Sequence, residues 1–342
     1  MIITTRFPHD AASRYAKEAD FQEFASRLHV YGIDFRDIAM VREFCCEIKQ
    51  KFARMDVIIN NAAQTVRKPP QFYRHLIDCE SKPVSVDILE AMHIVDVFKL
   101  GTNSYKFVEN GKDNCDESNN SLGFAATNSV QPLAHVNTSA AYSQLSLIAS
   151  DKEANESLFP VGRYDRDDQQ VDLRNENSWL LELGQVSTVE MLECHVINVF
   201  TPWVIISELK SLMESTKQLP NATIGDEGCD RYIVNVSAME GQFYRPKTTF
   251  HPHSNMAKAA LNMMTRTAAA GFAELSIFMT AVDTGWITDE NPVDQWHKRD
   301  NAPPPLDEWD AAMRVLDPVL TGIDGQEKVW GVFLKNYFPT RW

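Results

Sequence analysis

At 342 residues, with 44% apolar and 23% charged side chains, the chain has the make-up of an ordinary globular protein, which excludes a disordered, collagen-like or disulfide-stapled one. No run approaches the ~18 uninterrupted apolar residues of a membrane span, and the opening MIITTRFPHD lacks the basic and apolar regions of a secretory signal. A net charge of −14 argues against nucleic acid and anionic membrane surfaces as partners. The six cysteines form no CxxC pair, so reduced thiols in a cytoplasmic protein are expected, with no metal site. Glycine is scarce, and Gly32 is followed by none until Gly101.

Ile2 to Thr5 is a short β-branched run that predicts a strand. Pro8 and Asp10 then open a helix with Ala12, Tyr15, Phe21, Phe24 and Leu28 on its apolar face. A second strand is expected over 29–33. Asp37 opens a helix carrying Val41, Phe44, Cys45, Ile48 and Phe52 at near-helical spacing. A third strand follows at 56–60, where Val57-Ile58-Ile59 has the unbroken apolar character of a parallel strand covered on both faces. Strands alternating with helices of this length predict an α/β fold, a Rossmann-like doubly wound parallel sheet in a single domain over 1–342.

Residues 64–185 lose this periodicity and read as an insertion. Within it, 109–121 (ENGKDNCDESNNS) carries no aliphatic or aromatic side chain and is expected to be disordered. Regular structure returns at Ser187, a helix N-cap with Glu190 three residues on. The long helix that follows is expected to be disturbed at Pro202. Then come a strand at 232–236, a helix at 256–273, a strand at 275–282, a polar segment at 289–308, a helix near 308–315 and a last strand around 329–334.

Four short stretches stand out along this frame. Asn60-Asn61-Ala62-Ala63 follows the third strand, and asparagines suit a tight turn there. Asn198 lies on the apolar stretch VINVF, where an unbonded amide is costly. Ser237 ends a strand, and Lys258 sits on the otherwise apolar helix NMAKAALNMM. In this order and on these elements they resemble the short-chain dehydrogenase/reductase superfamily, over about 1–63 and 186–290.

The resemblance implies that Asn60, Asn61 and Ala62 turn beside the adenine ribose of a dinucleotide. It implies that Asn198 orders a water in a proton relay, that Ser237 bonds the substrate carbonyl and that Lys258 holds the nicotinamide ribose. Asp34 in GIDFRD matches the aspartate beside adenine. Ile287 and Thr288 in DTGWIT match the groups that meet the nicotinamide carboxamide and phosphate. Arg6, at the end of the first strand, suits a 2′-phosphate, so NADP is the expected cofactor and NAD the alternative.

Two departures bear on activity. No glycine precedes Gly32, so the TGxxxGxG strand–turn–helix that opens the family and cradles pyrophosphate is not found, and the sheet is expected to lack its central strand, incomplete at the N-terminal side. Counting back one helical turn from Lys258, the place of the family's tyrosine is held by Ser254, a poor acid for carbonyl reduction. Tyr244, His251 and His253 are the nearest replacements, and the His251–His253 spacing alone does not make a metal site. Two functions follow. One is an NADP-dependent oxidoreductase acting on a small carbonyl or alcohol through Asn198, Ser237, Ser254 and Lys258. The other is a non-catalytic binding or scaffolding module, a pseudoenzyme. The resemblance also implies a homodimer or homotetramer built through 186–215 and 255–273.

Overall fold

The computed structural model describes residues 1–101, 138–165, 168–216, 230–292 and 304–342, so the expectation for 109–121 falls outside the described residues. In chain order the elements are β1 (Ile2–Thr5), α1 (Pro8–Tyr15), α2 (Phe21–Phe24), β2 (His29–Gly32), α3 (Ile38–Lys51), β3 (Val57–Asn60), α4 (Arg74–Glu80), α5 (Val86–Ala91), β4 (His93–Asp96), α6 (Val97–Gly101), α7 (Ala149–Glu153), α8 (Thr188–His195), α9 (Thr201–Thr216), β5 (Arg231–Ser237), α10 (Pro252–Ala273), β6 (Ile277–Asp283), α11 (Glu308–Ile323), β7 (Phe333–Lys335) and β8 (Phe338–Thr340). They form two compact units, residues 1–34 with 76–145 and residues 35–75 with 146–342.

The first unit holds a parallel sheet in the order β1-β2-β4. Its core gathers Ala12, Leu28 and Val30, all fully buried, with Phe21 and Met92. The single helix expected from Pro8 to Leu28 is broken: α1 ends at Tyr15, and exposed Lys17, Glu18 and Asp20 make a turn before α2. The apolar residues on either side still share one core, because Tyr15 and Phe21 both meet Phe24 edge-on. Strand β4 lies where the sequence shows no clean period. Gly32 is required where β2 runs past α1, since a Cβ there would stand 2.7 Å from Ser139 Oγ and 2.9 Å from Pro8 Cγ.

The second unit carries a sheet in the order β3-β5-β6-β7-β8, parallel as far as β7 and closed by antiparallel β8. All seven residues of β5 are buried, as befits a strand flanked on both edges and covered on both faces. Tyr232, Val234, Val236, Val282, Val315, Val319 and Leu334 form a core between this sheet and α11. Asp37 caps α3 by accepting from Met40 N at 3.0 Å, and Ser187 caps α8 by accepting from Glu190 N at 3.1 Å, both as the sequence reads. The disturbance expected near Pro202 is a π-helical turn at Val196–Phe200, just ahead of the proline that cannot donate to it. The expected last strand is instead a hairpin. Asn336 and Tyr337, with φ of 50° and 72°, turn β7 back into β8.

Strands β1 and β3 each end their sheet, and among the described residues no strand pairs with their outer edges. The continuous helical stretch Thr188–Ser215 is long and apolar enough to cross a membrane by length and composition, but half of its most apolar window is buried inside the fold, as in a core helix.

Candidate active site

The second unit brings Asn198, Ser237, Ser254 and Lys258 to the end of β5 and the first half of α10. Ser237 is the last residue of β5, and Ser254 and Lys258 share a face of α10 one turn apart. All four are buried, Lys258 the least so at 8% exposed. Gly241 lets the turn after β5 lie directly on α10, because a Cβ there would meet Asn262 Nδ2 at 2.6 Å and the Lys258 carbonyl at 2.7 Å.

The four differ in how their hydrogen bonds are used. Asn198 is fully engaged. Its Oδ1 accepts from Gln64 N at 2.7 Å, and its Nδ2 donates to Gln64 O at 2.9 Å and to Cys194 Sγ at 3.3 Å. The π-helical turn thereby clamps the segment following the Asn60–Asn61 turn. Ser237 Oγ donates to Asn262 Oδ1 at 2.6 Å, tying β5 to α10. Lys258 Nζ donates to Val236 O at 3.0 Å, its one hydrogen-bond partner among the described residues, and no carboxylate there pairs with it. Burial pushes its pKa down to about 8, with Cys194, Glu240 and Asp283 near enough to oppose the shift. The Ser254 hydroxyl makes no hydrogen bond among the described residues.

Other polar atoms on α10 are also left without partners. Asn262 Nδ2 and Asn255 Oδ1 are buried and unbonded. Both ring nitrogens of His253 are buried without a well-formed hydrogen bond, the Thr65 backbone lying nearby, and burial lowers its pKa. The other two candidates for the tyrosine's place are committed elsewhere. Tyr244 is 42% exposed, with its hydroxyl 3.2 Å from Thr340 Oγ1. His251 stacks on Trp179 at 3.8 Å between ring centroids, with Nδ1 2.8 Å from the Trp179 carbonyl oxygen. Burial raises the thiol of Cys194, on the adjoining face of α8, to about 12.

Asn60 donates to Asn235 Oδ1 at 2.8 Å, and Asn235 donates on to Thr265 Oγ1 at 2.9 Å, so the turn after β3 is fixed through β5 to α10. Asn61 and Ala62 are exposed. Ile287 is half-buried, and the exposed Thr288 donates to Glu290 Oε1 at 3.3 Å. Arg6 and Asp34 belong to the first unit. Arg6 lies over the Phe7 ring at 5.4 Å and Asp34 is buried. The sequence reading missed Asn262 and Cys194, yet spacing could have found both. Asn262 is one turn after Lys258 and Cys194 one turn before Asn198, on helix faces already singled out.

Beside this site stands a second buried polar cluster. Arg67 donates through both terminal nitrogens to the two carboxylate oxygens of Asp151 and through Nε to Glu193 at 2.9 Å. Glu193 also accepts from Arg36 at 3.0 Å. Asp151 accepts further from Leu147 N at 2.8 Å and Ile148 N at 3.2 Å. The Arg67 backbone N–H donates to Glu190 at 2.7 Å. Burial alone would raise the Asp151 carboxyl, but Arg67 and the backbone donors hold it below its usual range.

No family model matches the chain. It is 27% identical to an uncharacterised protein of Acanthamoeba polyphaga mimivirus over 96% of its own length, and it spans 59% of the length of that relative. Among solved structures it is similar to the carbonyl reductase Sniffer of D. melanogaster, with a TM-score of 0.50, 13% identity, and 100% and 86% of the two chains covered. The NADPH-bound carbonyl reductase from chicken fatty liver superposes with a TM-score of 0.48 at 13% identity, over 100% and 98% of the chains. The fold is that of the short-chain dehydrogenases/reductases.

Proposed function

We propose that the chain carries an oxidoreductase centre of the short-chain dehydrogenase/reductase type, moving hydride between a nicotinamide nucleotide and a small carbonyl or alcohol. The observation that carries this reading is the convergence of Asn198, Ser237, Ser254 and Lys258 within one unit. Lys258 fits the ribose end of such a nucleotide, because its buried amine gives only one of its N–H groups to Val236 O. NADP is the favoured form, with NAD second, because Arg6 rather than an acidic residue follows β1. Within the second unit, Asn60, Asn61, Ala62, Ile287 and Thr288 complete the proposed cofactor contacts.

The nucleotide, when bound, supplies the hydride. Lys258 holds the ribose hydroxyls, and Ser237, released from Asn262, donates to the carbonyl oxygen. Asn198 keeps the 64-segment in place through both backbone groups of Gln64. Ser254 occupies the proton donor's position without a phenol's acidity, so turnover by the natural chain is slow. The test is NADPH-dependent reduction of a panel of small aldehydes and ketones. Ser254→Tyr is expected to raise the rate by ~10²–10⁴-fold, the usual worth of general-acid help, and Lys258→Ala to abolish it. A Ser254→Tyr variant that binds NADPH yet turns over no faster than the natural chain counts against the reading.

One observation favours the second reading, a non-catalytic binding or scaffolding module. The serine at 254, together with the short Ser237–Asn262 bond, leaves the reacting position without an acid and its second hydroxyl engaged. Nucleotide binding without turnover, in both the natural chain and Ser254→Tyr, would select it. A cytoplasmic setting is part of the same reading, on the strength of six cysteines without a CxxC pair. Exposed Leu192, Phe200 and Trp203 on the α8–α9 stretch and Met256 and Met263 on α10 suit self-association as a homodimer or homotetramer. Sedimentation of the natural chain against Trp203→Glu tests this.

A further inference from the structure

One short stretch of the second unit, residues 177–182, grips three separate elements. Asn177 Nδ2 donates to Glu290 O, in the loop after β6, at 2.9 Å. Ser178 Oγ donates to Glu190 Oε1 on α8 at 2.5 Å. Trp179 lies flat on the His251 ring, with centroids 3.8 Å apart and planes 4° from parallel. The Trp179 carbonyl accepts from His251 Nδ1 at 2.8 Å, and the Leu181 carbonyl from His251 N at 2.9 Å. Glu182 forms an antiparallel bridge with Phe250 and accepts from Thr249 Oγ1 at 2.7 Å. The chain is exposed at Asn175 and Glu176, and again over 182–185, where Gly184 turns with φ of 92°. A piece bounded by solvent-facing chain and held by a few specific contacts opens locally at less cost than the core does.

His251 is where this grip matters. It stands just before α10 in the left-handed region, with φ of 42° and ψ of 46°, which a residue bearing a Cβ adopts only when its surroundings hold it there. Its ring, its Nδ1 and its backbone N–H are each held by 177–182. A carbonyl only accepts, so Nδ1 carries the proton. His251 O in turn accepts from Ser254 N at 3.1 Å and from Asn255 N at 3.2 Å. We propose that residues 177–182 are a strap that locks the start of α10 and the loop after β6 together, with Trp179 as its latch. Closed, the strap fixes the left-handed His251 and with it the first turn of α10, which carries Ser254. Open, His251 relaxes and that turn loosens. Trp179 is thus a positioning residue that acts on Ser254 through His251, and Asn177 passes the same hold to the loop that carries Ile287 and Thr288.

Every contact of the strap lies within the chain, so it is tested on the folded full chain with nothing added. Hydrogen exchange compares the Ser254 and Asn255 amides with those at 262–270 on the same helix. Trp179→Ala keeps the carbonyl that meets His251 Nδ1 and removes the ring. It is expected to speed exchange at Ser254 and Asn255 roughly three- to tenfold, the worth of one stacked ring pair, and to leave 262–270 unchanged. Trp179→Phe keeps a flat ring over the imidazole and is expected to restore most of the protection. Asn177→Asp keeps the acceptor for Trp179 N and loses the donor to Glu290 O. It is expected to speed the same two amides at least about twofold, the worth of one hydrogen bond, because the strap moves as one piece. Unchanged exchange at Ser254 and Asn255 in Trp179→Ala or in Asn177→Asp overturns the proposal. A rise that extends equally over 262–270 overturns it too, since Trp179 would then be an ordinary packing residue of the whole unit.

Discussion

Two buried polar clusters lie in the same unit and behave in opposite ways. Around Arg67 nearly every donor and acceptor is used: the guanidinium meets two carboxylates, and those carboxylates collect Arg36 and two backbone N–H groups besides. Around Lys258 an amine makes one bond and a neighbouring hydroxyl none. The physical cost of burial is similar in kind for both. A saturated cluster answers that cost within the fold and therefore serves the fold. An unsaturated one leaves part of that cost unanswered within the fold. The first cluster fastens the chain segments around residues 67 and 151 to α8, whereas the second lies at the end of strand β5.

The largest expected difference follows from removing one cation from each cluster. Arg67→Met strands Asp151 and Glu193 as buried carboxylates without their shared partner, and breaking a buried pair in this way typically costs about 3–5 kcal/mol. Lys258→Met removes a buried ammonium that no carboxylate pairs with among the described residues, so it is expected to be neutral or stabilising at pH 7. Urea denaturation of the three proteins measures both. Equal destabilisation by the two variants would dissolve the contrast.

The same contrast has a pH signature. The folded chain depresses the Lys258 pKa from 10.5 to about 8, so the folded state is the poorer proton binder. Below about pH 8 this penalty is present in full, and it is relieved as pH rises towards the unfolded value. Relative to Lys258→Met, the natural chain should therefore gain on the order of 3 kcal/mol between pH 8 and 10.5. The comparison with the variant cancels the buried thiols and tyrosine that also titrate in alkali. A flat difference would mean that the amine is solvated in the folded protein.

What the sequence made legible was whatever depends on local pattern. The strand at Val57–Asn60, the caps at Asp37 and Ser187, and the placing of Ser237 and Lys258 on consecutive elements all follow from periodicity and capping chemistry. The break between Tyr15 and Phe21 was hidden because apolar residues on both sides serve one core, so the pattern continues although the helix does not. Strand β4 and the Arg67 cluster were hidden for a different reason. A charged residue in a stretch without period reads as surface, and only the tertiary fold shows that Asp151, 84 residues away, is waiting for it. The bonding state of Lys258 was equally out of reach, since spacing gives a residue's face and not its partners.

A third ion cluster, Asp172 with Lys68 and Arg174, lies between the extremes. Lys68 donates to Asp172 at 2.9 Å and Arg174 at 2.6 Å, and all three side chains are partly exposed. Burial alone would raise the carboxyl, but the Arg174 hydrogen bond and the Lys68 charge bring its pKa down to about 2. A depressed carboxylate stabilises above its unfolded pKa, here 3.8, and loses that stability as pH falls towards 2. The natural chain should lose on the order of 1–2 kcal/mol more than Asp172→Asn across that window. Acid titration of the two by circular dichroism checks this, and parallel curves would show that the pair is solvated.

The smallest effect is expected at the surface, where the same charges meet in a similar pattern. Glu208 on α9 accepts from Lys49 at 2.9 Å and from Arg42 at 3.2 Å, both on α3, so one carboxylate is shared by two cations as Glu193 is. The Arg42 side chain is 67% exposed, and water screens its contact with Glu208. An exposed pair is worth about 0–1 kcal/mol, because two long side chains must be held still for a modest attraction. Arg42→Ala should therefore lower stability by less than about 1 kcal/mol, and added salt at around 1 M should erase most of that, since it shortens the screening distance to roughly 3 Å. Arg67→Met should keep its full cost in the same salt, because no ion reaches that pair. A loss at Arg42 as large as the loss at Arg67, or one indifferent to salt, would show that geometry rather than burial sets the strength of these clusters. The contrast between the saturated Arg67 cluster and the sparsely bonded Lys258 would then lose its physical basis.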